Sequence, residues 1–315
     1  MSTYTLNSLK KSSNIDKLSQ ELAKMNEKGS GQGKNADAEE YWTLSVDKAG
    51  NGHAVIRFLP AAFVDGEDGL PWVRYWDHGF QHPKSGKWYI ENSLTTLGHK
   101  DPVSEYNREL WATGIQANRD FVQQKSKRRL HYVSNILVVE DSKNPSAEGK
   151  VFKFRYGAKI MDKISEKMNP EFEDETRLNP FDMNEGANFK LKAKMVAGYR
   201  NYDKSEFEDS SALFDGDENK QEELWKKEYS LLKVVAADKF KSYDELKTRF
   251  DSVMGFAGGE TPQAAPKTTE TQRRVNKSAE AEDGSRLEET SKPTKSTDKE
   301  DNTNYDAFFA GLNEE

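Results

Sequence analysis

The sequence predicts a mainly β protein of the α+β class: an antiparallel barrel or sandwich with helical insertions. Strand-like runs bounded by turn residues recur from residue 41 to residue 198, and few helical patterns separate them. Of the 315 residues, 34% are hydrophobic and 32% are charged, which is too polar for the whole chain to be packed. We therefore expect one folded body, 41–256, between an N-terminal arm, 1–40, and a disordered acidic tail, 257–315.

The arm contains one predicted helix, over residues 13–27. Apolar residues recur there at steps of three and four, which gives the helix one apolar stripe. The residues of the stripe are Ile15, Leu18, Leu22 and Met25. Because a segment of linker composition follows at 29–40, the arm is expected to be separate from the body.

The body opens with two strand-like runs around a Gly-Asn-Gly turn at 50–52, which predicts a hairpin. The further predicted strands are 71–76, 87–91, 130–140, 151–157 and 188–198. The predicted helices are about 104–124, 160–168, 217–236 and 243–254. Ser242 and Glu245 have the spacing of a capping box, so the last helix is expected to begin at this point.

The composition excludes several classes of protein. The chain has no cysteine, which excludes disulfides, thiolate zinc sites, iron–sulfur clusters and cysteine nucleophiles. No apolar run approaches the ~18 to 20 residues that cross a bilayer, and the first residues lack the apolar region of a signal peptide. The chain is therefore expected to be intracellular. It has no GKS or GKT loop, no nucleophile elbow and no HExxH motif, so it is not expected to be an enzyme.

Cations are concentrated in three windows of the body, although the formal net charge of the chain is −7. Residues 119–135, 150–163 and 188–204 each hold five Lys or Arg and one Asp, and each window contains aromatic residues. Cations neutralise phosphates and aromatic faces stack on unpaired bases, so the windows favour binding of single-stranded nucleic acid. Alternating Lys and apolar residues are also typical of an ordinary half-solvated strand, and that interpretation stays open.

Several stretches of the body together resemble the single-stranded DNA-binding, helix-destabilising protein of T-even-type tailed bacteriophages. They are NGHAVIRFLP, GKWYIE, NILVVED, EGANFKLKAKMVAGYRNYDKSEF and DKFKSYDEL, and the match spans roughly residues 5–255. The resemblance implies an OB-fold core with a helical subdomain at about 92–126. It also implies sequence-independent, cooperative binding and protection of single-stranded DNA during phage DNA replication, recombination and repair, in the host cell cytoplasm.

The resemblance assigns partners to both ends of the chain. The basic arm would contact further copies of the protein along DNA, and the acidic tail would bind phage replication and recombination proteins; no membrane is implied. The cooperativity residues, in the motif KKSSN, would be Lys10, Lys11, Ser12 and Ser13. The partner-binding residues of the tail would be Tyr305, Asp306, Phe308, Phe309 and Leu312.

The expected DNA-binding residues combine the three windows with positions that the resemblance implies. The windows supply Lys125, Lys127, Arg128, Arg129, Lys153, Arg155, Lys190, Lys192, Lys194 and Arg200. The resemblance supplies Arg57, Tyr132, Phe154, Tyr199 and Tyr202. A second basic motif of the family is matched at 127–131 only in its basic half, because Leu130 and His131 replace its hydroxyl residues.

The chain departs from the family at a structural zinc site. The family's best-known member binds zinc with one histidine and three cysteines; His78 matches the histidine, whereas Ser93, Asp101 and Ser104 occupy the cysteine positions. Serine hydroxyls are poor zinc ligands, so we expect no metal and no cofactor. A substitute set of His78, His82, His99 and Asp101 stays open, as does stabilisation by packing of Trp111 and Ile115.

Two other functions remain as alternatives to DNA binding. An OB-fold also serves RNA-binding proteins, and no residue pattern here identifies a reader of the 2′-hydroxyl. The chain could also be an interaction scaffold that acts through its tail alone.

Overall fold

The computed structural model describes residues 15–25 and 38–256. The helices are α1 (Ile15–Met25), α2 (Pro102–Ala112), α3 (Gln116–Phe121), α4 (Ala158–Met168), α5 (Glu218–Trp225) and α6 (Tyr243–Met254). The strands are β1 (Tyr41–Trp42), β2 (Gly52–Phe58), β3 (Val73–Gln81), β4 (Trp88–Asn92), β5 (Arg129–Glu140), β6 (Val151–Tyr156), β7 (Ala187–Val196), β8 (Tyr199–Asn201) and β9 (Glu206–Ser210). This mixed sheet with several helices agrees with the predicted α+β class.

The sheet is organised around β5. Its main order is β1-β6-β5-β2-β7-β8; β3 also pairs with β5 and β4, and β9 pairs with β7. The first residues of β5 pair with β3, its middle residues pair with β6, and its last residues pair with β2. Side chains near the start of β5 are therefore brought beside those of β3 and β6, which are distant in sequence.

The predicted hairpin at 41–60 is wrong. The first strand, β1, pairs in parallel with β6, whereas β2 pairs with β5 and β7. The turn itself forms: Gly50 has φ 82°, and the backbone N–H of Ala49 donates to Asp47 Oδ1 at 2.9 Å. A turn motif determines where the chain reverses, but the strand pairing follows from where each apolar face can be buried.

Two of the four apolar clusters among the described residues position the sheet and the helices beside it. The main cluster joins the inner side of the sheet to α4 and receives Leu18 from α1. The second cluster joins β3 and β4 to α2 and α6, with Phe80, Val103 and Phe250 among its members. This second cluster holds the helical part of the body against the end of β3.

Several predicted helices differ from the observed ones. The helix expected at about 104–124 is divided into α2 and α3, and the one expected at 217–236 ends at Trp225. Ile115 lies between α2 and α3 and is 56% exposed, so its predicted packing with Trp111 is wrong. The capping box at Ser242 and Glu245 is confirmed.

The side chains of Leu22 and Met25 in the predicted stripe lie outside the described residues. Within the described ranges, every helix falls short of the length and apolar character needed to span a membrane.

Candidate nucleic-acid interface

A dense group of cations lies at the start of β5. Residues 122–126 form a short π-helical turn, in which Val122 and Ser126 are buried. The side chains of Lys125 and Lys127, on either side of Ser126, are exposed. The segment Lys125–Arg129, called the basic segment below, is thus anchored from inside the protein while its charges face the solvent.

Arg128 of the basic segment covers an aromatic ring. Its guanidinium carbon lies 4.2 Å from the ring centroid of Trp76, and its Nη1 donates to Thr95 Oγ1 at 2.8 Å. A cation over an indole contributes about 0.5 to 1 kcal/mol at exposed sites. Trp76 is half-buried, so a ring and a cation are presented together at the surface beside the basic segment.

A second polar group forms where β3, β5 and β6 meet. Arg129 Nε donates to Asp77 Oδ1 at 2.8 Å, and His131 Nε2 lies 3.1 Å from Asp77 Oδ2. The His131 ring lies 5.1 Å from that of Tyr75, whose hydroxyl accepts a hydrogen bond from Arg155 Nη1 at 3.3 Å. These side chains share one face of the sheet because β3 and β6 both pair with the first half of β5.

The electrostatics of this group hold Asp77 in its charged form. Burial alone would raise the pKa of Asp77, but its interactions with His131 and Arg129 outweigh burial and lower the pKa to about 2. The carboxylate in turn holds Arg129 in a fixed position while about half of the Arg129 side chain stays exposed. Arg129 and Arg155 are therefore ordered cations that can reach an anion in solution.

The lysine row of β7 is partly neutralised. Lys190 Nζ lies 3.0 Å from Glu208 Oε1 and Lys192 Nζ lies 2.6 Å from Glu206 Oε1. The hydrogen bond to Glu208 raises the pKa of Lys190. The two glutamates belong to β9, which the sequence analysis did not predict, so the expected unbroken row of positive charge is corrected. Lys194 lies near the end of β7 and is exposed.

The hairpin between β7 and β8 carries the most exposed of the predicted rings. Tyr199 is 80% exposed, and Arg200 beside it is also exposed. The chain reverses through Ala197 and Gly198, at φ 50° and φ 84°, a conformation in which both central residues of the turn have positive φ. Tyr202 differs from Tyr199, since it is half-buried and packs against the main cluster.

Two of the predicted cations are buried. Arg57 is 0% exposed, and its Nη2 donates to the carbonyl oxygens of Asp182 at 2.8 Å and Ser211 at 2.9 Å. Burial lowers the pKa of Arg57 to about 10. Lys153 is 2% exposed, with Nζ 2.6 Å from Glu40 Oε2. The expectation that both face DNA is corrected, because both side chains are buried and bonded to groups of the protein itself.

Two of the predicted stacking rings are also buried. Tyr132 stacks on Tyr156 with a centroid distance of 5.8 Å, and Phe154 lies 5.5 Å from both Tyr156 and Trp42. All four rings belong to the main apolar cluster. The side chains of β6 alternate as predicted, but Phe154 and Tyr156 are on its inner face. Tyr132 of β5 packs against the same face. Neither Tyr132 nor Phe154 therefore presents a ring to solvent.

Comparisons with known proteins identify the family. A family model described as "gp32 DNA binding protein like" matches residues 50–254. The chain belongs to the gp32-like DNA-binding protein family. It is 42% identical over 258 residues to the single-stranded DNA-binding protein of Enterobacteria phage T2, covering 79% of this chain and 82% of the relative. The corresponding protein of Enterobacteria phage T4 is 41% identical over 258 residues, covering 79% and 81%.

In this gp32-like chain the candidate interface also contains residues that no sequence pattern singled out. Trp76, Tyr75 and Asp77 lie on β3; Tyr75 and Trp76 were assigned only to the predicted strand 71–76, and Asp77 comes directly after it. Arg119, which belongs to the first cationic window, lies 5.2 Å from the ring centroid of Trp111. The pairings of Trp76 with Arg128 and of Asp77 with Arg129 join residues about 50 positions apart, for which the sequence has no local signal.

The residues proposed for cooperativity and for partner binding are not part of this interface. Lys10, Lys11, Ser12 and Ser13, together with Tyr305, Asp306, Phe308, Phe309 and Leu312, lie outside the described residues. Across residues 15–25 and 38–256, the structure has no group of three or more His, Asp or Glu residues placed to hold a metal ion.

Proposed function

We propose that this chain binds single-stranded DNA without regard to sequence, and protects it during phage DNA replication, recombination and repair. The observation that carries the proposal is the basic segment, with Arg128 stacked on Trp76, in a member of a DNA-binding family. Its relatives in phages T2 and T4 are named single-stranded DNA-binding proteins.

The arrangement suits an unpaired strand better than a duplex. Exposed Lys and Arg neutralise phosphates of any sequence, whereas exposed rings can stack only on bases that are not already stacked in a helix. The proposed phosphate contacts are Lys125, Lys127, Arg128, Arg129, Arg155, Lys194 and Arg200, and the proposed stacking rings are Trp76 and Tyr199. Arg57, Lys153, Tyr132 and Phe154 support the interface from inside instead of contacting DNA.

The finer organisation is part of the same proposal. The sheet would be an OB-fold core within 41–256, with the helical subdomain at about 92–126 as one side of the DNA site. The arm, 1–40, would mediate cooperativity between copies along DNA through its Lys-Lys-Ser-Ser motif. The acidic tail, 257–315, would bind phage replication and recombination proteins. The protein would act in the host cell cytoplasm, as a binding protein and not as an enzyme.

Titration with single-stranded and double-stranded DNA of equal length, at several salt concentrations, tests the proposal. We expect tighter binding to the single strand. The logarithm of the affinity should fall by about 0.7 for each phosphate contacted when the salt concentration rises tenfold. Matched RNA is the competitor that separates DNA binding from RNA binding. Equal affinity for duplex and single strand, or a preference for RNA, would overturn the proposal.

A further inference from the structure

The positions that correspond to the family's zinc ligands do not fit a zinc ion in this chain. Asp101 Oδ1 accepts hydrogen bonds from the backbone N–H groups of Val103 and Ser104, both at 3.0 Å, and Oδ2 accepts one from Leu94 at 3.1 Å. His78 Nε2 lies 3.3 Å from Asp101 Oδ1. A carboxylate that caps α2 in this way is already occupied, and the hydroxyls of Ser93 and Ser104 are poor zinc ligands.

The same residues hold the basic segment through Ser126. The other ring nitrogen of His78, Nδ1, lies 2.9 Å from the Ser126 carbonyl oxygen and must donate to it, because a carbonyl can only accept. Asn107 Nδ2 donates to the same oxygen at 2.9 Å, and Ser126 Oγ donates to Asn107 Oδ1 at 2.6 Å. All three residues are buried. Ser126 lies between Lys125 and Lys127, so these bonds fix the backbone that carries two exposed cations.

A second set of bonds holds Arg128 and Trp76. Ser93 Oγ lies 2.9 Å from Thr95 Oγ1, which accepts the hydrogen bond from Arg128. In the same turn, Thr96 Oγ1 accepts the backbone N–H of Trp76 at 3.0 Å. Because Asp101 binds the N–H of Leu94, the turn that positions both the ring and its cation is attached to the network at Asp101.

We propose that this buried network, centred on His78 and Asp101, takes the place of metal ligation and positions the basic segment for single-stranded DNA. His78, Thr95 and Asn107 are positioning residues in this scheme: they do not touch DNA but reduce the conformational freedom that the cations would otherwise lose on binding. The inference rests on the proposed function, and it makes DNA binding by this chain independent of zinc.

Two substitutions of His78 separate positioning from simple stability. In His78→Asn the amide nitrogen is placed near the position of Nδ1 and can still donate to the Ser126 carbonyl. In His78→Gln the amide reaches the Nε2 position beside Asp101 and Ser104, but the Ser126 carbonyl loses this donor. We expect His78→Asn to keep its affinity for oligo-dT within about twofold, and His78→Gln to weaken it by about tenfold, the effect of one lost buried hydrogen bond.

A second pair of variants tests the hydrogen bonds around Arg128, in case the histidine variants fold poorly. Thr95→Ser keeps the acceptor for Arg128, whereas Thr95→Val removes it with little change in side-chain volume. We expect the serine variant to bind oligo-dT as the wild type does, and the valine variant to bind several-fold more weakly, with altered Trp76 fluorescence. Equal affinities for the serine and valine variants would overturn the inference.

The metal prediction is tested on the full chain. We expect metal analysis of the purified protein to find far less than one zinc per chain, and EDTA to change neither the Tm nor the affinity for oligo-dT. Stoichiometric zinc, or a loss of affinity in EDTA, would overturn the inference, as would equal affinities for His78→Asn and His78→Gln. A wild-type chain that does not bind oligo-dT at all would overturn the proposed function as well, so the two failures can be distinguished.

Discussion

Neutralising Lys125 and Lys127 together should reduce the salt dependence of DNA binding without affecting the fold. Both side chains are exposed, and only the backbone between them is anchored. If the four cations of the basic segment and Arg155 each contact one phosphate, the wild-type slope of log affinity against log salt is about −3.5. The five cations are Lys125, Lys127, Arg128, Arg129 and Arg155. With three cations left, the slope becomes about −2.1.

These slopes give a measurable difference. A fourfold increase in salt, from about 50 mM to about 200 mM, should weaken wild-type binding by about 130-fold but binding by Lys125→Ala/Lys127→Ala by only about 18-fold. Fluorescence titration with a short oligo-dT, of about 8 nucleotides, keeps the measurement to roughly one chain per strand.

A matched control removes the same charge elsewhere. Lys220 and Lys226 are exposed, and each forms a surface ion pair at α5. Each double variant loses two positive charges, so a general electrostatic effect would change the slope equally in both. If the effect instead comes from phosphate contacts, Lys220→Ala/Lys226→Ala should keep the wild-type slope. A Lys125→Ala/Lys127→Ala slope that equals the wild-type slope would refute the assignment of the basic segment to DNA.

Three further outcomes can be measured independently. Trp76→Leu should weaken binding to oligo-dT by about 1 to 3 kcal/mol, the value of one base–ring stack, with the salt slope unchanged, whereas Trp88→Leu should bind as the wild type does. Arg57→Met should lower the free energy of unfolding in urea by about 1 to 3 kcal/mol, because the Asp182 and Ser211 carbonyls lose their donor, and should leave the salt slope unchanged; a reduced slope would mean that Arg57 does contact DNA. Asp77, whose pKa is lowered from 3.8 to about 2, should stabilise the fold by about 2 kcal/mol above pH 3.8 and lose that contribution as the pH falls to about 2. The difference in unfolding free energy between wild type and Asp77→Asn should therefore shrink between about pH 5 and about pH 2.5, and a constant difference would contradict the pKa.

Local signals in the sequence predicted most of the elements but not their partners. The strand at 188–198 and the capped helix at 243–254 have local causes, namely alternation and a capping box, and both form close to the expected bounds. The hairpin at 41–60 was predicted wrongly because the burial of β1 depends on β6, about 110 residues further along the chain. Strand β9 was missed because its sequence, EFEDS, has only one large apolar residue.

The candidate site likewise has residues whose role the sequence predicted and residues whose role it did not. The basic segment was predictable, since four cations in five residues next to a turn can hardly all be buried. The different roles of Lys153 and Arg155 were not predictable, because both residues were assigned to the same face of the same strand. Lys153 is covered by Glu40, Tyr41 and Tyr229, whereas Arg155 remains exposed. The covering residues come from distant parts of the chain, so no property of β6 itself distinguishes the two positions.

The sequence by itself determined the class of fold, the strands and helices with strong local patterns, and the excess of cations and rings in the body. Only the tertiary structure decided which side of each strand is covered, that Glu206 and Glu208 lie beside the β7 lysines, and that Trp76 lies beneath Arg128. The physical reason is that alternation and capping depend on neighbouring residues, whereas burial and ion pairing depend on whichever distant segment packs against them.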